Sequence, residues 1–189
     1  MSKRIGVLAL QGDFEAHQRA LARCGVEAAQ VRTPAQLDAV DGLVIPGGES
    51  TTMLKMLHEE YLFEPLRRFG AERAIFGTCA GAILLAGEVS GPAQESLHLI
   101  DIDVERNAYG RQLDSRVVKL PPSDRLGGDA LEAVFIRAPI IRRVGPKATV
   151  LASYDGDPVL VEQGRHLVTT FHPELTTDER VHQLFLKKV

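Results

Sequence analysis

The chain has 189 residues, 44% hydrophobic and 25% charged, with a formal net charge of −3. That length fits one domain with a core large enough to need no disulfide or metal staple, and the composition excludes long disorder. The mildly acidic balance gives no electrostatic footprint for nucleic acid, no apolar run approaches the ~18 residues of a membrane span, and the stretch after Met1-Ser2-Lys3-Arg4 is too short for a signal-peptide core.

Ile5 to Leu10 reads as a buried strand. Phe14 to Cys24 has helical spacing, and Gly25 stops it. Val26 to Val31 is a weaker strand, and Gly42 to Ile45 is a third, closed by Pro46-Gly47-Gly48. Thr51 to Leu57 and Leu62 to Phe69 read as helices, the first capped by Ser50 or Thr51. Ala74 to Gly77 is a buried strand and Ala80 to Val89 an apolar helix. Short continuous apolar strands separated by helices imply a parallel sheet covered on both faces. The fold class is therefore α/β, an open and mostly parallel sheet flanked by helices, with antiparallel strands in the C-terminal half. Those strands are expected at Leu99 to Glu105, Val117 to Leu120, Ala133 to Arg137, Thr149 to Ser153, Pro158 to Glu162 and His166 to Thr170. Tyr154-Asp155-Gly156-Asp157 and Gln163-Gly164-Arg165 are hairpin-turn signals. A polar loop spans 106–114, and Pro121 to Gly128 is a surface loop. Thr177-Asp178-Glu179-Arg180 opens a last helix, with Lys187 and Lys188 suited to its dipole. No repeat or linker divides residues 1–189, so a single domain is expected.

Loops at the carboxyl ends of such strands form the binding crevice. Gly77-Thr78-Cys79-Ala80-Gly81 there fits the G-x-nucleophile-x-G elbow with Cys in place of Ser, between a strand and a helix. A thiol at a helix N-terminus has its acidity raised by the dipole. The bare motif also fits a buried structural cysteine. Phe171-His172-Pro173-Glu174 follows the last strand and supplies a base with an orienting acceptor. In an extended segment held by Pro173, His172 and Glu174 share a side. Taken alone, His172 also fits a satisfied structural residue. Pro46-Gly47-Gly48-Glu49-Ser50-Thr51 ends a strand with glycines that can turn backbone N–H groups toward a ligand. It reads equally as a turn before a helix cap. No phosphate loop and no G-x-G-x-x-G are present, and His17, His58, His98, His166 and His182 lack metal-ligand spacing. Cys24, ahead of Gly25, reads as packing. Two such cysteines make no disulfide framework and suit a reducing cytoplasm. Arg67-Arg68 and Arg142-Arg143 read as solvated faces.

GTCAG, the late HPE and the early PGGES resemble class I glutamine amidotransferases. LALQGDFEAH at 8–17, PGGESTTM at 46–53, FGTCAG at 76–81, ERNAYGRQ at 105–112, FIRAP at 135–139 and FHPELT at 171–176 together resemble one family among them. It is the glutaminase subunits of the two-component pyridoxal 5′-phosphate synthase. The resemblance implies a flavodoxin-like fold and the hydrolysis of L-glutamine to L-glutamate and ammonia through a glutamyl thioester. It implies Cys79 as nucleophile, His172 as general base and acid, and Glu174 as the residue that orients His172. Backbone N–H groups of Gly48 and Ala80 would hold the oxyanion. Gly48, Glu49 and Ser50 would border the glutamine, Arg106 would lie near its amino-acid end, and Ile136 and Arg137 would line the site. Gln11 would sit near the site on the face toward a partner. That partner is a (β/α)8 synthase subunit, which takes the ammonia in an assembly of twelve synthase subunits and up to twelve glutaminases. No cofactor is implied for this chain. The LQGDFEAH and ERNAYGRQ stretches tell against a glutaminase of imidazole glycerol phosphate or purine synthesis, and HPE with PGGES tells against a standalone Cys hydrolase. An intact Cys79, His172 and Glu174 speak against a catalytically dead regulatory module.

Overall fold

The computed structural model describes residues 2–108 and 115–189. Residues 109–114 of the expected polar loop, with the tail of the motif at 105–112, lie outside the described residues.

In chain order the first half alternates β1 (Ile5–Leu8), α1 (Phe14–Arg23), β2 (Ala29–Val31), α2 (Pro34–Asp38), β3 (Gly42–Ile45), α3 (Ser50–Glu59), α4 (Phe63–Glu72), β4 (Ala74–Thr78) and α5 (Ala80–Leu85). There follow β5 (Ala86–Ser90), β6 (Ile100–Glu105), β7 (Ser115–Leu120), β8 (Leu131–Ile136), β9 (Ile140–Val144), β10 (Thr149–Tyr154), β11 (Asp157–Gln163) and β12 (His166–Thr169). A 3₁₀ turn, Pro173–Leu175, and α6 (Arg180–Leu186) complete the chain.

The main sheet has the order β10-β11-β12-β4-β3-β1-β2. From β12 to β2 every neighbour is parallel, and β10 and β11 are antiparallel. Strand alternation sends successive side chains to opposite faces. Leu43, Ile45, Ile75 and Val168 therefore join one buried cluster with residues of α2, α3, α4 and α5. Val44, Phe76 and Leu167 join the other with Leu21 of α1 and Val181 and Phe185 of α6. This is the α/β architecture with a mostly parallel, helix-flanked sheet. The two hairpin turns also form, with Asp155, Gly156 and Gly164 at positive φ.

The helix expected over Ala80 to Val89 stops at Leu85. Ala86 turns extended, and β5 runs parallel to β6, pairing Ala86 with Ile100 and Val89 with Val104. Gly87 is a poor helix former, and the ladder together with Val89 burial outweighs local propensity. The strand expected from Val26 shrinks to β2. Two short elements were not expected. The five-residue α2 is too short to show a period, although Thr33 caps it and Pro34 opens it. β9 carries Arg142 and Arg143, which are not simply solvated. Arg142 Nε donates to Glu105 Oε2 (2.5 Å), and Arg143 bonds Asp101 and Asp103 at 2.8 Å, across the β6–β9 pair. Lys188, expected only near the helix dipole, forms an ion pair with Glu162 (2.6 Å).

Candidate active site

β4 ends where α5 begins, and Cys79 is the turn between them. Its φ of +50° and ψ of −103° lie in a region that costs a non-glycine residue about 1–3 kcal/mol. The surroundings enforce it. Cys79 N–H donates to Thr169 O of β12 (2.9 Å), and Ile83 N–H donates to Cys79 O (3.2 Å). The flanking glycines are dictated by close approach. A Cβ at Gly77 would sit 2.6 Å from the Gly81 backbone, and one at Gly81 would run into the Ile45 carbonyl.

His172 and Glu174 follow β12, but not in an extended segment. Pro173–Leu175 is a 3₁₀ turn, and Pro173 starts the turn rather than prolonging the strand. The expected contact forms all the same: His172 Nδ1 lies 2.7 Å from Glu174 Oε1. His172 N–H donates to Val134 O of β8 (2.8 Å), which fixes the ring from the backbone side. Burial alone would lower the His172 pKa. The Cys79 sulfur and the Glu174 carboxylate outweigh it and lift the pKa to about 10. Burial would raise the Glu174 pKa, but the His17 ring, the His172 bond and its charge hold it below the usual carboxylate range.

The loop after β3 packs on both groups. A Cβ at Gly47 would sit 2.5 Å from His172 Cε1 and 3.3 Å from Cys79 Cβ. On its other side the loop meets Gln11 and Gly12. A Cβ at Gly48 would run into Gln11 Oε1, and one at Gly12 into the Gly47 carbonyl. Gln11 Oε1 also accepts from Glu49 N–H (3.0 Å). The cap of α3 is Glu49, not Ser50 or Thr51. Its carboxylate accepts from Thr51 N–H (3.0 Å) and Thr52 N–H (2.7 Å). Partial burial works against the Glu49 charge, yet the Thr52 hydroxyl and these N–H groups hold its pKa down to about 2. Arg106 donates to Thr51 Oγ1 (2.7 Å) and lies 3.8 Å from Glu49 Oε1, so it is anchored rather than free in water. The Ser50 hydroxyl is buried and donates to Gln94 Oε1 (3.0 Å).

A cavity of about 260 Å³ brings together Gly48, Cys79, Ile136, Arg137, His172 and Glu174. Ala80 follows Cys79 as the first residue of α5, whose first-turn N–H groups have no intrahelical partner. Gln11 touches the loop from behind. Glu49, Ser50 and Arg106 are not on the cavity wall; they stand one step back, at the start of α3. Asp13 and Leu175 are on the wall, and neither was expected there. Asp13 caps α1 by accepting from Ala16 N–H (3.3 Å). His17 stands behind Glu174, with Nε2 3.4 Å from Oε2. Asp13 and His17 both fall inside the LQGDFEAH stretch, which was the available signal.

A family model described as the SNO glutamine amidotransferase family matches residues 7–189. The chain belongs to this family. Proteins named "Pyridoxal 5'-phosphate synthase subunit PdxT" from Solibacter usitatus and Thermotoga maritima are 59% and 50% identical to it. Those matches cover 99% and 98% of this chain and 100% and 99% of the relatives. A crystal structure of a glutamine amidotransferase matches with a TM-score of 0.90 at 46% identity, covering 97% of both chains. A chain from the structure of PurLQS of Thermotoga maritima, at TM-score 0.69 and 16% identity, shares the fold over 99% of both. Among the described residues of this amidotransferase, no helix is long and apolar enough to cross a membrane.

Proposed function

We propose that Cys79, His172 and Glu174 hydrolyse L-glutamine to L-glutamate and ammonia, and that the ammonia passes to the synthase subunit of pyridoxal 5′-phosphate biosynthesis. The observation that carries this reading is a thiol on a strained elbow, facing an imidazole bonded to a buried carboxylate, in a member of a glutamine amidotransferase family. His172 takes the proton of the Cys79 thiol, and the sulfur attacks the side-chain carboxamide carbon. Backbone N–H groups of Gly48 and Ala80 receive the oxyanion. His172 protonates the departing ammonia, leaving a glutamyl thioester, and then takes a proton from the water that cleaves it. Glu174 keeps the His172 ring oriented and stabilises its charge. Gly48, Ile136 and Arg137 border the glutamine, with Glu49 and Ser50 one step behind them at the start of α3. Arg106, anchored on Thr51, lies toward the amino-acid end of the glutamine, where a planar guanidinium fork suits a carboxylate.

The relatives' names support the synthase subunit as partner. We further propose a (β/α)8 partner, an assembly of twelve synthase and up to twelve glutaminase subunits, one glutaminase domain over residues 1–189, and a cytoplasmic setting. Gln11 couples docking to chemistry, because its carboxamide touches the Gly47–Gly48 loop that must aim an N–H at the oxyanion. The test is steady-state glutamate production by the chain against synthase concentration. A rise of at least roughly tenfold is expected, since losing one oxyanion donor costs ~10²–10³ in rate. A fully active isolated chain, unchanged by the synthase subunit, would refute the coupling.

A further inference from the structure

We infer that His17 is a positioning residue for glutamine hydrolysis: it holds the far oxygen of the Glu174 carboxylate, and His182 fixes the ring that does so. The inference rests on the reading of Glu174 as the partner of His172.

The Glu174 side chain is 1% exposed, so both of its oxygens need protein partners. Oε1 faces His172. Oε2 has no hydrogen-bond partner within normal reach, and His17 Nε2 at 3.4 Å is the group that faces it. His17 Nε2 also lies 3.1 Å from Thr78 Oγ1, one residue before the elbow cysteine. On the other side of the ring, His17 Nδ1 is 3.0 Å from His182 Nε2. His17 and His182 are both fully buried.

The carboxylate decides where the protons sit. A bare Nε2 on His17 would set a lone pair against Oε2, so Nε2 carries the hydrogen. Burial, the largest influence on each ring, keeps both neutral, and the His182 pKa falls to about 3. His17 Nδ1 is then an acceptor, and His182 Nε2–H donates to it. His182 Nδ1 is left as an unpartnered lone pair, consistent with its lack of any partner. The N–H groups thus point one way, from His182 of α6 to His17 of α1 and on toward Thr78 Oγ1 (3.1 Å) and Glu174 Oε2 (3.4 Å), while Glu174 Oε1 meets His172 from the opposite side. Asp13 and His172 also act on His17, and Arg23 on His182. Packing alone does not require this arrangement. Phe76, Leu21, Val181 and Phe185 already make the contact of α1 and α6 with the sheet apolar.

The test uses the full chain with saturating synthase subunit. His17→Phe keeps the ring shape and removes the donor. It should lower kcat about ten- to hundredfold, the range for losing one hydrogen bond to a charged group, with KM within about threefold. In a Glu174→Gln background the same substitution should cost less than about twofold, because coupled residues are non-additive. His17→Gln, which restores an N–H near Nε2, should recover most of the rate. Equal losses in both backgrounds, or a His17→Phe kcat within twofold of the unmutated chain, would overturn the inference. If Glu174→Gln itself is without effect, it is the reading of the triad that fails. Should His17→Phe not fold, the unmutated chain still decides. Long-range 15N correlation spectra at neutral pH should show neutral Nε2–H tautomers for His17 and His182. An Nδ1–H tautomer at His17 would contradict the inference.

Discussion

The two ends of the central sheet differ in a way that cavity size does not reveal. At the amino ends of β1 and β2 lies an opening of about 740 Å³, walled by Arg4, Gly25, Val26, Glu27 and Val189 among others. At the carboxyl ends lies one of about 260 Å³. Only the smaller holds a thiol, an imidazole and a buried carboxylate in contact. Strand ends, glycine turns and the first turn of a helix converge there, so side chains and backbone N–H groups point into one space. At the other end the strands begin, and their lining residues lead away into separate elements. The histidines at the two ends of β12 make the same point. His172, just past the carboxyl end, has its pKa raised to about 10 by the Cys79 sulfur and the Glu174 carboxylate, which overcome burial. His166, at the amino end, falls to about 4, chiefly through burial, and its Nδ1 accepts from Ile75 N–H (3.3 Å).

The largest expected effect separates the two cysteines. Cys79→Ala or Cys79→Ser should abolish glutamine hydrolysis. Cys24→Ala, beside Gly25 on the amino-end cavity, should leave turnover within about twofold, as surface changes away from a site usually do. Activity surviving in Cys79→Ala would move the chemistry away from the carboxyl end.

Next come the groups behind the thiol. His172→Asn should cost about 10²–10⁴ in kcat, the usual contribution of a general acid–base group. Glu174→Gln should cost less, because His172 stays and loses only its charge partner. A slower Glu174→Gln enzyme would reverse their assigned roles.

Gln11→Ala should reduce the roughly tenfold activation by the synthase subunit toward none while leaving the thermal midpoint within about 2 °C. Full activation in this variant would show that docking reaches the glycine loop by another route.

The smallest effect concerns stability and pH. The folded-state pKa of His166 is lowered to about 4, so as pH falls below about 6.5 the unfolded chain takes up the proton first, and stability is lost. Between pH 7 and pH 5 this amounts to about 2 kcal/mol. His172 has the opposite sign: its contribution is complete below about pH 6.5 and fades as pH rises toward 10. Urea unfolding of the unmutated chain and of His166→Leu, at both pH values, should show an acid loss smaller by about that amount in the variant. An equal loss in both would mean that His166 is not buried neutral.

Much of this was legible in the residues. β3, a continuous apolar run closed by Pro46-Gly47-Gly48, matches its expected bounds. The small residues around Cys79 identified the elbow because no larger side chain fits between Ile45, Gly77 and Gly81. The contact between His172 and Glu174 was expected on an extended geometry and forms instead with His172 as the non-helical residue that caps the 3₁₀ turn holding Glu174. The switch from α5 to β5 was hidden because the ladder partner β6 lies 14 residues further on, from Ala86 to Ile100. The pairing of His17 with His182 was invisible for the same reason, with a sequence separation of 165 and no spacing rule to join them.

The central claim is that glutamine is opened by the thiol at the carboxyl end of the sheet. Its most direct test is covalent: the chain, with its synthase subunit, is treated with an electrophilic ketone analogue of glutamine, digested, and mapped by peptide mass. The account predicts one adduct per chain, on the peptide carrying Cys79, and its suppression by excess L-glutamine. An adduct on Cys24, or full loss of glutaminase activity with Cys79 unmodified, would contradict it.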